Sequence, residues 1–354
     1  MSKIAAIATS VPPHVLPQAQ AREFAARYFR GQRRDVERLL PVFDHACIET
    51  RYISMPPDWF FQPRTFAEKN NRYIEESTRL GAEVLRACSE QSQISLSEIT
   101  HLIYVSTTGL ATPSIDSRLL NALDLSPNLV RTPVWGLGCA GGAAGLALAH
   151  LLAKGDPGAV IALVCVELCS LTFHFEDFSK SNLIATALFG DGAAGLVIVG
   201  EDRAKSGAVA GATIEAVRST TWPGSLDVMG WNFDAVGMQV VFSQAIPRVV
   251  REKVYDNTAG FLASENLSFS DIKHWIAHPG GTKVIEAYEE VLPLPPCAMT
   301  HARSILRDYG NMSSPTVLFV LERLLKEGTA KSGELGVLTA LGPGFSSENI
   351  LLRF

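Results

Sequence analysis

Cys139 stands where an apolar run, Val134-Trp135-Gly136-Leu137, gives way to a stretch of helical character that reaches His150. A sulfur at such a strand-to-helix corner meets the unpaired N–H groups and positive end of the helix, which favour thiolate over thiol. The neighbouring Gly138, Gly141 and Gly142 let a second molecule approach the backbone closely. A cysteine in this setting is also often no more than a small buried hydrophobe. What separates the two readings is a repeat.

The chain carries a faint copy of itself. His101-Leu102-Ile103-Tyr104-Val105, leading to Gly109, resembles His274-Trp275-Ile276-Ala277-His278, leading to Gly280-Gly281. Downstream of the first copy come Cys139, a helix, Lys154-Gly155 and an apolar strand at 159–166. Downstream of the second come Asn311, a helix through Val320, Lys326-Glu327-Gly328 and an apolar strand at 335–341. Cys139 and Asn311 therefore occupy corresponding helix starts, and His278 occupies a strand end equivalent to the turn after Val105. If the halves face each other about a pseudo-twofold axis, the cysteine, the histidine and the asparagine converge.

A thiolate accepts an acyl group from a thioester readily. Two N–H donors, from His278 and Asn311, can hold a second thioester carbonyl and stabilise the charge that develops on its oxygen, worth roughly 3–4 kcal/mol each by analogy with oxyanion holes. That set suits decarboxylative carbon–carbon bond formation, in which a malonyl thioester loses carbon dioxide to leave an enolate. A cysteine protease uses the same three residue types differently, its histidine activating the thiol and its asparagine orienting the histidine. A helix-start asparagine aimed at substrate favours the first scheme.

The elements that must position these groups alternate between strand and helix. A strand at 2–10 precedes a charge-rich helical stretch at 18–40. An irregular segment at 49–63 with exposed-looking Trp59 and Phe60 could cover a pocket entrance, and a helix follows at 65–91. In the second half a strand at 208–217, a hairpin containing Trp222 and Trp231 and a helix at 244–263 are expected. Apolar strands between helices predict layered α/β architecture with mostly parallel sheets, divided into halves 1–205 and 206–354 at the polar stretch 200–207. With 354 residues, 47% of them hydrophobic, the chain can bury a large core. Its formal charge of −5 comes without a basic tract, which sets nucleic acid aside. The N-terminal apolar run is too short for a signal sequence and no run spans a bilayer, so the expected compartment is the cytoplasm. Cys47, Cys88, Cys139, Cys165, Cys169 and Cys297 lack the spacing of a disulfide framework, and Cys165, Cys169 and His174 lack that of a metal site.

Five strings carry a family resemblance: Gly138-Cys139-Ala140-Gly141-Gly142, Ala187-Leu188-Phe189-Gly190-Asp191-Gly192, Trp275-Ile276-Ala277-His278-Pro279-Gly280-Gly281, Tyr309-Gly310-Asn311-Met312-Ser313-Ser314 and Gly342-Pro343-Gly344. In this order they resemble the type III polyketide synthases, the chalcone and stilbene synthase superfamily. The resemblance implies a thiolase-like αβαβα fold of two duplicated halves, a homodimer, acyl-CoA and malonyl-CoA as substrates with no cofactor or metal, and catalytic roles for Cys139, His278 and Asn311. It places Phe189 as a gate between the coenzyme A tunnel and the cavity, Gly342-Pro343-Gly344 as a loop shaping that cavity, and Arg51 as the nearest match to a coenzyme A–binding residue.

Two departures bear on substrate. Val240 stands in place of a second gating phenylalanine, and Thr112 in place of a methionine that crosses the dimer interface. Both are smaller, which leaves room for a longer acyl chain unless a neighbour fills it. The segment from Val166 to Phe173, with Cys169, resembles bacterial members that make alkylpyrones and alkylresorcinols from fatty acyl starters. Thr107, Thr108, Thr172 and Ser313 could line the cavity and steer cyclisation; ordinary capping or strand-end roles suit each equally. Phe189 could pack over a tight turn, His278 bond to backbone and Asn311 serve as a helix N-cap. Two other functions fit the same fold: an initiating ketoacyl-carrier-protein synthase, which takes malonyl groups from a carrier protein, and a non-catalytic acyl-binding protein.

Overall fold

The computed structural model describes residues 1–205, 211–234, 236–243 and 245–354. Its first half runs β1 (Ser2–Ser10), β2 (His14–Pro17), α1 (Gln18–Phe29), α2 (Val36–Leu39), α3 (Val42–His45), β3 (Thr50–Ile53), α4 (Phe66–Ser92), β4 (His101–Val105), α5 (Ile115–Ala122), β5 (Val130–Val134), α6 (Gly141–Gly155), β6 (Val160–Leu168), α7 (Lys180–Leu188), β7 (Asp191–Val199) and α8 (Glu201–Lys205). The second half runs β8 (Thr213–Thr221), β9 (Met229–Phe233), β10 (Met238–Phe242), α9 (Ile246–Ser264), β11 (Ile272–Ala277), α10 (Thr282–Val291), α11 (Thr300–Tyr309), α12 (Thr316–Glu327), β12 (Leu335–Gly342) and β13 (Ser346–Arg353).

Nine strands form one sheet in the order β11-β12-β13-β8-β1-β7-β6-β4-β5. Read outward from the β1–β8 contact, the two arms repeat: β7, β6 and β4 on one side match β13, β12 and β11 on the other. β1 and β8 meet antiparallel over a short register, Ser2 opposite Ile214 and Lys3 opposite Thr213, as a pseudo-twofold axis at that contact requires. β6 and β7 are buried at all nine of their positions, so each must be covered on both faces. Alternate residues divide the work: Ile161, Leu163 and Cys165 face the core that contains α6 and α12, while Val160, Ala162 and Val164 face α4 and α5. In the other arm, Leu338 and Ala340 share the core of α6 and α12, and Leu335 and Val337 pack with α9 and α10. The layers are therefore α, β, α, β and α, with α6 and α12 in the middle.

Local chemistry fixes the ends. α4 starts with a capping box in which Thr65 Oγ1 accepts from the Glu68 N–H at 3.2 Å and Glu68 Oε2 accepts from the Thr65 N–H at 2.9 Å.

Several expectations need correction. The sheet is mixed: β4–β5, β4–β6 and β11–β12 are parallel, whereas β1–β7, β6–β7, β12–β13 and β8–β13 are antiparallel. Complete burial produced the apolar runs that read as parallel strands. The stretch at 18–40 breaks after Phe29, where Gly31 takes a positive φ of 88°, and resumes only as short turns. Trp222 lies outside the β9–β10 hairpin and stacks on Phe345. Phe60 is buried and lines an internal cavity. The 205/206 boundary adjoins residues 206–210, and the expected start of a helix at 244 also lies outside the described residues. No helix among the described residues is long and apolar enough to cross a membrane.

The contact between α6 and α12 leaves no slack. A Cβ at Gly142 would lie 2.2 Å from the backbone oxygen of Ser314, whereas one at Gly155 would have nothing within 4 Å. Gly142→Ala is expected to lower stability in urea unfolding by about 1–3 kcal/mol. Gly155→Ala, at the other end of the same helix, should change it by less than about 1 kcal/mol.

Candidate active site

Cys139 sits in a single 3-10 turn, Gly138–Ala140, that joins the β5 exit to α6. The turn depends on Gly138, whose φ is +48° and whose absent Cβ would stand 2.7 Å from Pro343. The loop at Gly342 presses on the same turn, where a Cβ would meet the Leu137 oxygen at 2.5 Å. Gly342-Pro343-Gly344 thus buttresses the cysteine turn, and only Pro343 lines a described cavity.

His278 is the first residue after β11, and its backbone N–H donates to the Thr339 oxygen on β12 at 2.9 Å. Asn311 lies between α11 and α12, four residues ahead of the latter's N-cap, Pro315. It is therefore not a helix N-cap. Its backbone forms a bridge with Phe189: the Asn311 N–H donates to the Leu188 oxygen at 2.9 Å and the Gly190 N–H to the Asn311 oxygen at 3.0 Å. The carboxamide is oriented at both ends, Oδ1 accepting from the Ser313 N–H at 2.8 Å and Nδ2 donating to the Gly280 oxygen at 3.1 Å. The second Nδ2 hydrogen remains for another acceptor.

Cys139, His278 and Asn311 line one cavity of about 340 Å³ whose other walls include Met229, Phe242, Ile246 and Phe345. Cys139 Sγ is 3.9 Å from Asn311 Oδ1. Neither ring nitrogen of His278 has a hydrogen-bond partner among the described residues, although the residue is 3% exposed. A buried imidazole with both nitrogens unpartnered suits an incoming polar group. Burial pushes the Cys139 thiol up to about 11, opposed by hydrogen bonding to Ser313, and lowers His278 to about 3. Desolvation outweighs the expected helix-start stabilisation of the thiolate, so near neutrality a thiol faces a neutral imidazole. Such an imidazole has one lone pair to take a proton and one N–H to donate.

A second cavity of about 450 Å³ also reaches Cys139, with Thr107, Cys169, Phe189, Val240 and Ser313 among its walls. Phe189, Cys169 and Val240 also border a third, mostly apolar chamber, which Thr172 lines as well. The wall thinned by Val240 is refilled in part by Phe242, two residues along the same strand, whose ring meets that of Phe189 edge-on at 6.4 Å. Thr112 is exposed and lines none of the described cavities.

Arg51 is not placed to bind coenzyme A. It is 1% exposed and donates to the Thr186 oxygen at 2.6 Å, the Phe189 oxygen at 2.9 Å and Gln18 Oε1 at 2.8 Å. Desolvation lowers it to about 10. It holds the Phe189 backbone from behind. The threonines are also engaged: Thr107 Oγ1 and Thr108 Oγ1 donate to Glu167 at 3.0 and 2.8 Å, and Thr172 Oγ1 donates to the Cys169 oxygen at 2.8 Å.

The sequence reading assigned no role to Glu167. Fully buried, its carboxylate also accepts from the Thr107 N–H at 2.9 Å and Ser314 Oγ at 2.9 Å, and burial raises its proton affinity against these donors. It ties the loop after β4, the end of β6 and the Asn311 loop together. A lone acidic residue inside the apolar strand 160–168 was the available signal. Asp191 does similar work, accepting from the Ser54 N–H at 2.8 Å and the Ser170 N–H at 2.7 Å, with burial raising it to about 6. Cys165, Cys169 and His174 point to different surroundings: the core, the cavities and Asp234.

The family of chalcone and stilbene synthases, N-terminal domain, matches residues 1–203, and its C-terminal domain matches residues 214–354. A chalcone-synthase-type protein of Bacillus subtilis (strain 168) is 43% identical over 100% of this chain and 99% of its own length. The 1,3,6,8-tetrahydroxynaphthalene synthase of Streptomyces peucetius subsp. caesius is 36% identical over 100% of this chain and 93% of its own. The crystal structure of 1,3,6,8-tetrahydroxynaphthalene synthase from Streptomyces coelicolor A3(2), a bacterial type III polyketide synthase, superposes with a TM-score of 0.92 at 26% identity, covering 99% of each chain.

A neutral thiol needs a base to react, and the unpartnered His278 imidazole lines the same cavity. Replacing His278→Gln is expected to slow alkylation of Cys139 by iodoacetamide about 100-fold at pH 7. The rate should return as pH rises toward 11, where the thiol ionises unaided. Equal rates at pH 7, followed on the Cys139 peptide by mass spectrometry, would mean that the proton leaves by another route.

Proposed function

The chain belongs to the chalcone and stilbene synthases, and within them to the type III polyketide synthases; from that premise we propose that it extends a fatty acyl-CoA starter with malonyl-CoA and closes the product to an alkylpyrone or alkylresorcinol. Members of this family are decarboxylating condensing acyltransferases acting on coenzyme A thioesters, so the proposal concerns the residues, the starter and the product. The observation that carries it is the joint lining of one buried cavity by Cys139, His278 and Asn311, together with a second cavity at Cys139 that shares Cys169, Phe189 and Val240 with a chamber of mainly apolar walls.

In the loading step Cys139 Sγ attacks the acyl-CoA carbonyl carbon, His278 takes the thiol proton, and the proton leaves with the departing coenzyme A thiol. Malonyl-CoA then binds with its thioester oxygen facing the His278 N–H and the free Asn311 Nδ2 hydrogen. The carboxylate leaves as carbon dioxide, and its bonding electrons form an enolate that these donors stabilise. The enolate carbon attacks the Cys139 thioester, the C–S bond breaks, and a β-ketoacyl-CoA two carbons longer results. It reloads on Cys139 for the next round, and lactone or aldol closure ends the sequence. This route needs no cofactor beyond the substrates. Use of coenzyme A thioesters supports a cytoplasmic location.

The two halves, 1–205 and 206–354, contribute the cysteine and the histidine–asparagine pair respectively. A homodimer is supported by the free edge of the sheet at β5, where Val130 is 53% and Trp135 46% exposed and the Trp135 ring packs on Phe233 at 6.0 Å. Thr112 belongs to the loop beside that edge.

With purified protein and free malonyl-CoA, Cys139→Ala should abolish chain elongation while leaving decarboxylation measurable. Asn311→Ala should lower malonyl-CoA decarboxylation by about 100- to 1,000-fold. Elongation by Cys139→Ala would overturn the assignment of the nucleophile, and turnover only with malonyl-carrier protein would favour the initiating ketoacyl synthase. Products from malonyl-CoA alone, with no fatty acyl product, would place the chain with its naphthalene-forming relatives. Light scattering should give twice the chain mass, with Trp135→Glu shifting it toward the monomer.

A further inference from the structure

The cavities lie in series. The one that reaches Cys139 meets the apolar chamber at Cys169, Phe189 and Val240, which border both. Another wall of the chamber is made by Phe24 of α1 and by Phe173, just after the 3-10 turn Cys169–Thr172. On the other side of these two rings is a surface recess lined by Tyr28, Phe61, Phe175 and Phe178, with Arg27 lying 4.6 Å over the Phe61 ring. The partition is two rings thick at two places, with Phe24 and Phe173 on the chamber side and Phe61 and Tyr28 on the recess side. Phe24 packs on Phe61 with centroids 4.6 Å apart, and Phe173 packs on Tyr28 at 5.1 Å. Phe24 and Phe173 close the gap between them at 5.5 Å.

We propose that Phe24 and Phe173 are the end stop for the acyl starter and so set the longest chain the enzyme accepts. This rests on the fatty acyl starter inferred above. A straight chain esterified to Cys139 passes the threshold at Phe189 and fills the chamber until its terminal methyl meets the two rings. Their side chains hold the partition by packing alone, having no hydrogen-bonding group. One methylene too many must either displace a ring from a packed cluster or withdraw the thioester from the site. A wall of this kind discriminates by about 10- to 200-fold per methylene. Removing Phe24 or Phe173 deepens the chamber as far as the Phe61 or Tyr28 ring behind it and gives the excess chain somewhere to go.

The test measures kcat/KM with malonyl-CoA and straight-chain acyl-CoAs of graded length, together with product masses, for the wild type, Phe24→Ala, Phe173→Ala and Phe24→Trp. Each variant's malonyl-CoA decarboxylation, which uses the Cys139 cavity alone, reports that it is folded. The alanine variants should raise the ratio of long to medium starters by about tenfold or more, and the tryptophan variant should lower it. If the wild type uses fatty starters and all variants keep its length profile, the end stop is overturned while the starter reading stands. If the wild type uses no fatty acyl-CoA, the starter reading fails and takes the end stop with it.

Discussion

Through their first turns α6 and α12 must be hidden from water on every side, and the rest of the molecule follows from that requirement. Residues Thr316 to Glu322 of α12 are all buried, and most of α6 is as well. Only the last turns, at Leu151 and Lys154 of α6 and at Lys326 and Glu327 of α12, reach solvent, so each arm of the sheet must supply a covering layer. The β1–β8 contact lets one continuous sheet do so from both sides. The segments entering these two helices then face one another at the centre of the protein. Chemistry placed there is buried by construction, and this burial is what neutralises both Cys139 and His278.

Burial of that kind demands that polar groups be satisfied internally, and Glu167 is where much of the demand is met. A carboxylate with no access to water is tolerable only when surrounded by donors. Hydroxyls of Ser106, Thr107, Thr108 and Ser314 and one backbone N–H fill that role. The donors come from segments far apart in the chain, so saturating one carboxylate also fixes the distance between the floor of the cavity and the Asn311 loop. Arg51 is the cationic counterpart, its stem lying where Gly190 and Gly310 lack side chains.

The layered fold was legible because its signals are local: apolar runs, a capping box and an order of elements repeated twice. The repeat also indicated that Cys139, His278 and Asn311 belong near one another, and the structure brings them to one cavity. Features decided by distant partners were not legible. Arg51 reads as the nearest match to a coenzyme A–binding residue until two glycines 120 positions apart form a hollow for its stem. Thr107 does line a cavity, but that a carboxylate from the neighbouring strand claims the hydroxyls of Thr107 and Thr108 was not visible in the sequence. The compensation of Val240 by Phe242 follows from strand periodicity of two, but only the pairing of β9 with β10 shows which face looks inward.

The resting state of the sulfur has a bearing on durability. Peroxide and other oxidants attack thiolates, and a thiol held neutral with 6% of its surface exposed offers them little. Most cysteine enzymes that keep a standing anion ready at neutral pH accept its progressive conversion to sulfinic and sulfonic acids. Here burial holds the sulfur in its thiol form, which those oxidants attack slowly. A long idle interval in aerated buffer therefore does little harm to that thiol.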